Sequence, residues 1–167
     1  MALEANKQED GDLKSSISQH LAGSSKEDET LQEIRKISLH MFDLLNQGKI
    51  QDPSFDALAS DYQMTCEKGQ GPYTSSVGRE AFLQKYLEML DKNPGYCFNV
   101  TDCSVKLSDS NRKASVVLSG DTPVGDKPTN MRMEVVNLLS WEWRRREGWV
   151  CVRGKCIRGL AGDSMRD

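Results

Sequence analysis

Residues 131–143, MRMEVVNLLSWEW, restrict the fold more than any other stretch of the chain. Side chains alternate across a strand. One face then carries Met131, Met133, Val135, Asn137, Leu139, Trp141 and Trp143, and the other Arg132, Glu134, Val136, Leu138, Ser140, Glu142 and Arg144. The first face is apolar except at Asn137 and belongs against a core. The second is mixed, so it is exposed or half covered by a partner. Glu147-Gly148 reads as a tight turn into a last strand, Trp149–Ile157. The tryptophans are therefore read mainly as core, and Arg144–Arg146 as a solvated hairpin tip rather than a nucleic-acid patch.

The rest of the chain supplies what this strand needs. Tyr96–Leu107 turns at Asp109-Ser110-Asn111 into Lys113–Gly120, and Asp121–Asn130 reads as a long polar loop. Upstream, Thr30 and Glu33 have the spacing of a capping box. Ile34, Ile37, Met41, Leu44 and Leu45 then share a helix face, with Gly48 at the stop. Asp52-Pro53 reads as the cap and first position of a short second helix docked by Phe55, Leu58 and Ala59. Tyr62, Met64 and Cys66 alternate with polar residues as a strand. Lys68-Gly69-Gln70-Gly71-Pro72 is a turn whose glycines match no phosphate-binding spacing. Ser76 would cap a third helix burying Val77, Ala81, Phe82, Tyr86, Met89 and Leu90. Residues 1–29 read as a disordered polar tail, 30–160 as one α+β domain and 161–167 as a C-terminal tail. The expected architecture is a curved antiparallel sheet packed against three N-terminal helices.

Composition narrows the function classes. A net charge of −3 over 167 residues argues against a nucleic-acid binder. No apolar run approaches the ~20 residues of a membrane span. The start, MALEANKQEDGDLKSS, lacks the apolar centre of a secretory signal, so the expected location is cytoplasmic. Cys66, Cys97, Cys103, Cys151 and Cys156 form no C-x-x-C pair, and only His20 and His40 could join them. The expectation is reduced thiols, no disulfide, no metal and no cofactor.

Four segments carry a resemblance: FDLLNQGK closing the first helix, FDALASDYQMT leading into the first strand, GREAFLQKYLEML in the third helix, and VNLLSWEWRRREGWVCVRG in the final hairpin. In this order the chain resembles the SnoaL-like branch of the nuclear transport factor 2-like superfamily, over roughly residues 30–160. The resemblance implies a cone-shaped fold whose open end holds an apolar molecule in the enzymatic members. It does not transfer a reaction. By analogy with ketosteroid isomerase relatives, Met41 stands where a tyrosine should be, Cys66 where the base should be, and Leu139 where the protonated acid should be. The paired aspartate and histidines of scytalone dehydratase relatives have no counterpart either. His20 is in the tail, and His40 lies about 110° from the centre of its helix's apolar face.

Two functions follow. The first is a small-molecule protein: a cofactor-free cyclase, isomerase or dehydratase acting on an apolar polyketide- or terpenoid-type substrate, or a protein that merely shields such a molecule. Its pocket would be lined by Met41, Leu45, Tyr62, Met64, Cys66, Phe82, Tyr86, Asn137, Leu139 and Trp141. Arg153 is a further polar residue that could arrive from the last strand, and no residue stands out as the catalytic base. The second is a non-catalytic dimerisation or protein-interaction module using Val136, Leu138 and Ser140 on the outer sheet face. A hollow interior favours the first and a sealed one the second. A homodimer is expected in either case.

Overall fold

The computed structural model describes residues 9–66, 75–123 and 132–159, with side chains from residue 26 onward. The turn expected at Lys68–Pro72, most of the loop before Met131 and the C-terminal tail lie outside the described residues. Helix α1 spans Glu9–Asn46. A single 3-10 turn, Pro53–Ala57, leads into β1 (Leu58–Cys66) and a two-residue strand, β2 (Ser76–Val77). Helix α2 (Arg79–Lys92) precedes β3 (Asn99–Leu107), β4 (Lys113–Pro123), β5 (Arg132–Arg144) and β6 (Gly148–Arg158). The six strands form one sheet in the order β2-β1-β6-β5-β4-β3.

The α+β class holds, with three corrections. There are two α-helices among the described residues, not three, because Asp52-Pro53 starts a helix that has only five residues before β1 begins. The Asp52 carboxylate does cap this turn, accepting from the Ser54 amide at 2.9 Å. The capping box at Thr30 is not formed. Lys26–Glu29 are good helix residues, α1 runs straight through them, and the Thr30 hydroxyl donates to the Lys26 carbonyl of the preceding turn at 3.0 Å. The sheet is mixed: β1 pairs in parallel with β6, and the other pairings are antiparallel.

Two smaller differences have local causes. Ser76 is not a helix cap but pairs with Met64 as a strand residue. The cap of α2 is Gly78, whose φ of 96° suits glycine, and Val77 therefore points out, 72% exposed. Trp143 is 50% exposed, although it lies on the inner row of β5. The β5–β6 hairpin overruns the core there, so Trp143 packs edge-to-face on Trp149 at 5.9 Å and leaves its other side in water.

The inner row of β5 otherwise follows the alternation: Val135, Asn137, Leu139 and Trp141 are all buried. Val116 and Leu118 of β4, Tyr62 and Met64 of β1, and Cys151 and Cys156 of β6 join them beneath α1 and α2. Bulges between Val100 and Asp102 and between Ser140 and Trp141 break the register and bend the strands. The chain entering β3 is pinned to the end of α1. The Asn46 amide donates to the Phe98 carbonyl and accepts from the Phe98 amide, both at 2.9 Å. Asn46→Ala strands both backbone groups and should cost about 2 kcal/mol. Urea denaturation should show a lower midpoint at unchanged slope; an unchanged midpoint would mean the clamp contributes nothing.

Candidate functional site

The interior between helices and sheet contains a cavity of about 30 Å³. Phe42 and Leu45 reach it from α1, Tyr62 and Met64 from β1, and Phe82 and Tyr86 from α2. Tyr96 and Phe98 come from the segment before β3, Asn137 and Leu139 from β5, and Cys156 from β6. That volume exceeds what one water requires but falls far short of a polycyclic substrate. Aromatic rings occupy the remaining space. Phe42 meets Phe98 edge-to-face at 5.2 Å, Tyr62 meets Phe82 at 5.0 Å, and Tyr86 meets Tyr96 at 6.4 Å.

Gly154 makes this filling possible. A Cβ there would lie 2.1 Å from the Tyr62 hydroxyl oxygen and 2.8 Å from the Met64 sulfur. The Tyr62 ring therefore lies directly over β6, and its hydroxyl donates to the Met64 thioether at 3.5 Å.

Of the residues expected around a pocket, Leu45, Tyr62, Met64, Phe82, Tyr86, Asn137 and Leu139 line this cavity. Met41 and Trp141 are buried elsewhere in the core, and Cys66 is half-buried beside it. Phe42, Tyr96, Phe98 and Cys156 were not expected there. Phe42 follows Met41 on the same turn, and a one-residue rotation of α1 decides between them. Arg153 faces outward. The bulge at the Ser140–Trp141 step displaces β6 by one residue, which turns Gly154, Cys156 and Arg158 inward instead.

Burial favours the protonated forms of Cys66, Tyr62, Tyr86 and Tyr96. Burial pushes the Cys66 thiol up to about 12, with Cys156 adding to the effect and Arg158 opposing it. Burial likewise holds the Tyr62 and Tyr86 phenols well above their usual range. Tyr96 is also raised by burial, against the opposing charge of Arg158. These hydroxyls can donate hydrogen bonds, but none is a proton acceptor near neutral pH. His40 is exposed on α1. Outside the core, a groove of about 290 Å³ runs past Ser60, Val77 and the start of α2. Its arginine, Arg79, is already tied to Asp56 at 3.0 Å and to the Leu58 carbonyl at 3.3 Å.

Burial of these acids has a consequence for pH. Cys151 is fully buried and its thiol is raised by desolvation; Tyr86 behaves alike. Both ionise in the unfolded chain at lower pH than in the folded one. Above about pH 8.5 the folded state therefore binds more protons, and stability falls as pH rises. The expected result is a level urea midpoint between pH 7 and 8, then a decline through pH 9–11. Each group that ionises only on unfolding contributes a slope of about 1.4 kcal/mol per pH unit. A midpoint that rises with pH would contradict this.

No family model and no curated protein matches the sequence. Solved structures do match. A nuclear transport factor 2-like protein with a cystatin-like fold from Novosphingobium aromaticivorans superposes with a TM-score of 0.63 at 16% identity, covering 87% of this chain and 90% of that one. Nuclear transport factor 2 from Cryptosporidium parvum gives 0.55 at 14% identity, covering 77% of this chain and 94% of its own. The chain has the nuclear transport factor 2-like fold. The orange carotenoid protein of Anabaena, solved with canthaxanthin, also matches, with a TM-score of 0.57 at 12% identity; 77% of this chain covers 36% of that longer one.

Seen as a nuclear transport factor 2-like sheet, the outer face has a definite pattern. Val117 of β4 opposes Leu138 of β5, which opposes Lys155 of β6. One step along, Ser119 opposes Val136, which opposes Ile157. Val117, Val136, Leu138 and Ile157 thus form a half-buried apolar diamond. Ser115, Ser119 and Ser140 border it, with Arg153 and Lys155 on one side and Glu134 and Asp121 toward one end. No helix of the described residues is long and apolar enough to cross a membrane.

Proposed function

We propose that this chain is a non-catalytic nuclear transport factor 2-like module that acts by association, with two copies joined through the outer face of the sheet. The observation carrying this reading is the small interior cavity: among the described residues, eleven side chains leave about 30 Å³ there. The outer diamond supplies apolar area, and its rim carries both charge signs. A two-fold pairing can therefore bring Arg153 of one copy toward Glu134 of the other. Such a module needs no base, metal or cofactor, and its five thiols suit a reducing cytoplasm. Light scattering of the wild-type chain at micromolar concentration tests the reading. The expected mass is twice that of the 18.7 kDa chain; a monomer mass removes the proposal.

A second reading, a holder of a small apolar molecule, is favoured by one feature. The buried Asn137 amide lies in the cavity wall, where a ligand oxygen could meet it. Asn137→Leu separates the two. If the amide serves the core, its loss strands a partner and costs roughly 1–3 kcal/mol. That is the expected result, read as a lower melting temperature. An unchanged or higher melting temperature would instead favour an amide kept for a ligand.

A further inference from the structure

Cys66 and Cys156 are sequence-remote, but β1 and β6 place them as direct partners in a parallel ladder. In-register residues of parallel strands project to the same face. Both belong to the inward side: Cys156 is buried in the core and lines the cavity, and Cys66 packs half-buried against it. Met64 precedes Cys66 by two residues on the same row of β1, and its thioether also faces the cavity. Two thiols thus share one rung of the ladder on its inward side, and a thioether, which accepts from the Tyr62 hydroxyl, lies two residues earlier on the same row.

Strand spacing restricts what this group can do. Neighbouring strands lie about 4.8 Å apart, and in-register Cβ atoms share that spacing. A disulfide prefers a Cβ separation of about 3.8 Å. Direct oxidation to a disulfide would therefore pull β1 and β6 together, whereas an ion between the sulfurs spans the gap without moving either strand. Thiolate and thioether ligands select soft cations. Histidine and carboxylate, which suit zinc or harder ions, do not accompany the sulfurs among the described residues.

We propose that Cys66, Cys156 and Met64 form a binding site for a monovalent soft metal ion, copper(I) being the cation of that class. Binding exchanges the two thiol protons for one metal ion, with no electron transfer. Two thiolates and one monovalent cation leave a single negative charge. Arg158, two residues beyond Cys156 on the same inward row and close enough to act on the Cys66 thiol, offsets it. The apolar wall of Phe82, Tyr86 and Leu139 would shield the ion from water.

The test uses the full reduced chain under anaerobic conditions, titrated with copper(I) against a bicinchoninate competitor. Wild-type protein is expected to retain one equivalent. Cys66→Ser, which alters the more exposed thiol, should lower the affinity at least tenfold while circular dichroism stays native. Met64→Leu should lower it several-fold. In the wild type, the bound equivalent should also protect Cys66 and Cys156, but not Cys97, from alkylation by N-ethylmaleimide. No retained equivalent, the same affinity in Cys66→Ser, or equal alkylation of Cys66 with and without copper(I) would each overturn the proposal.

Discussion

Gly154→Ala is expected to lower the stability of the protein by about 3 kcal/mol. The new methyl carbon would sit 2.1 Å from the Tyr62 hydroxyl oxygen, 3.1 Å from the ring carbon bearing it, and 2.8 Å from the Met64 sulfur. Tyr62 has no room to yield, because it is 2% exposed and Phe82 packs against it at 5.0 Å. Either the tyrosine leaves the core or β6 moves away from its neighbours. The fault is local to one pair, so shortening the partner should relieve it. Gly154→Ala combined with Tyr62→Leu should be more stable than the sum of the two single losses, by more than about 1 kcal/mol. Urea denaturation of the four proteins gives that coupling. Strict additivity would mean that Tyr62 does not lie over Gly154.

Leu138→Arg should halve the solution mass while leaving the melting temperature of the protomer nearly unchanged. Leu138 is at the centre of the outer diamond, half-buried between Val117 and Lys155. In a pair of copies this position would be fully desolvated, and two arginines brought together across a two-fold axis would repel. In a lone protomer the arginine lies flat on the sheet with its guanidinium in water. Light scattering and a thermal melt on the same sample separate the outcomes. A dimer mass retained by Leu138→Arg would place any interface elsewhere.

Much of the framework was legible because it depends on period. The alternation of Val135, Asn137, Leu139 and Trp141 identified the inner row of β5 without knowledge of its neighbours. The α+β order and the mixed character of the outer row followed from the same rule. What the sequence concealed depends on contacts between remote segments. Thr30 and Glu33 have a capping pattern, but Lys26–Glu29 continue the helix through it. The parallel pairing that sets Cys66 beside Cys156 leaves no trace in spacing, because the long stretch of chain between them carries no information about strand order. The bulge between Ser140 and Trp141 exchanged Arg153 for Arg158 on the inward row, and a single-residue offset of that kind has no composition signal. The seven expected residues that line the cavity share a burial pattern, whereas Tyr96 and Phe98 lie in an irregular segment with no period to read. The degree of filling was also invisible, since it depends on Tyr62 of β1 lying over Gly154 of β6, the last strand in sequence but the neighbour of β1 in the sheet.

Native mass spectrometry of the freshly purified wild-type chain tests the central claim most directly, because it reports association and interior occupancy together. A filled interior and a working outer face predict a dimer at twice 18.7 kDa with no organic molecule attached. A monomer carrying one stoichiometric organic ligand, released on unfolding, would contradict the account: the interior would then be a binding chamber and the outer face merely a surface.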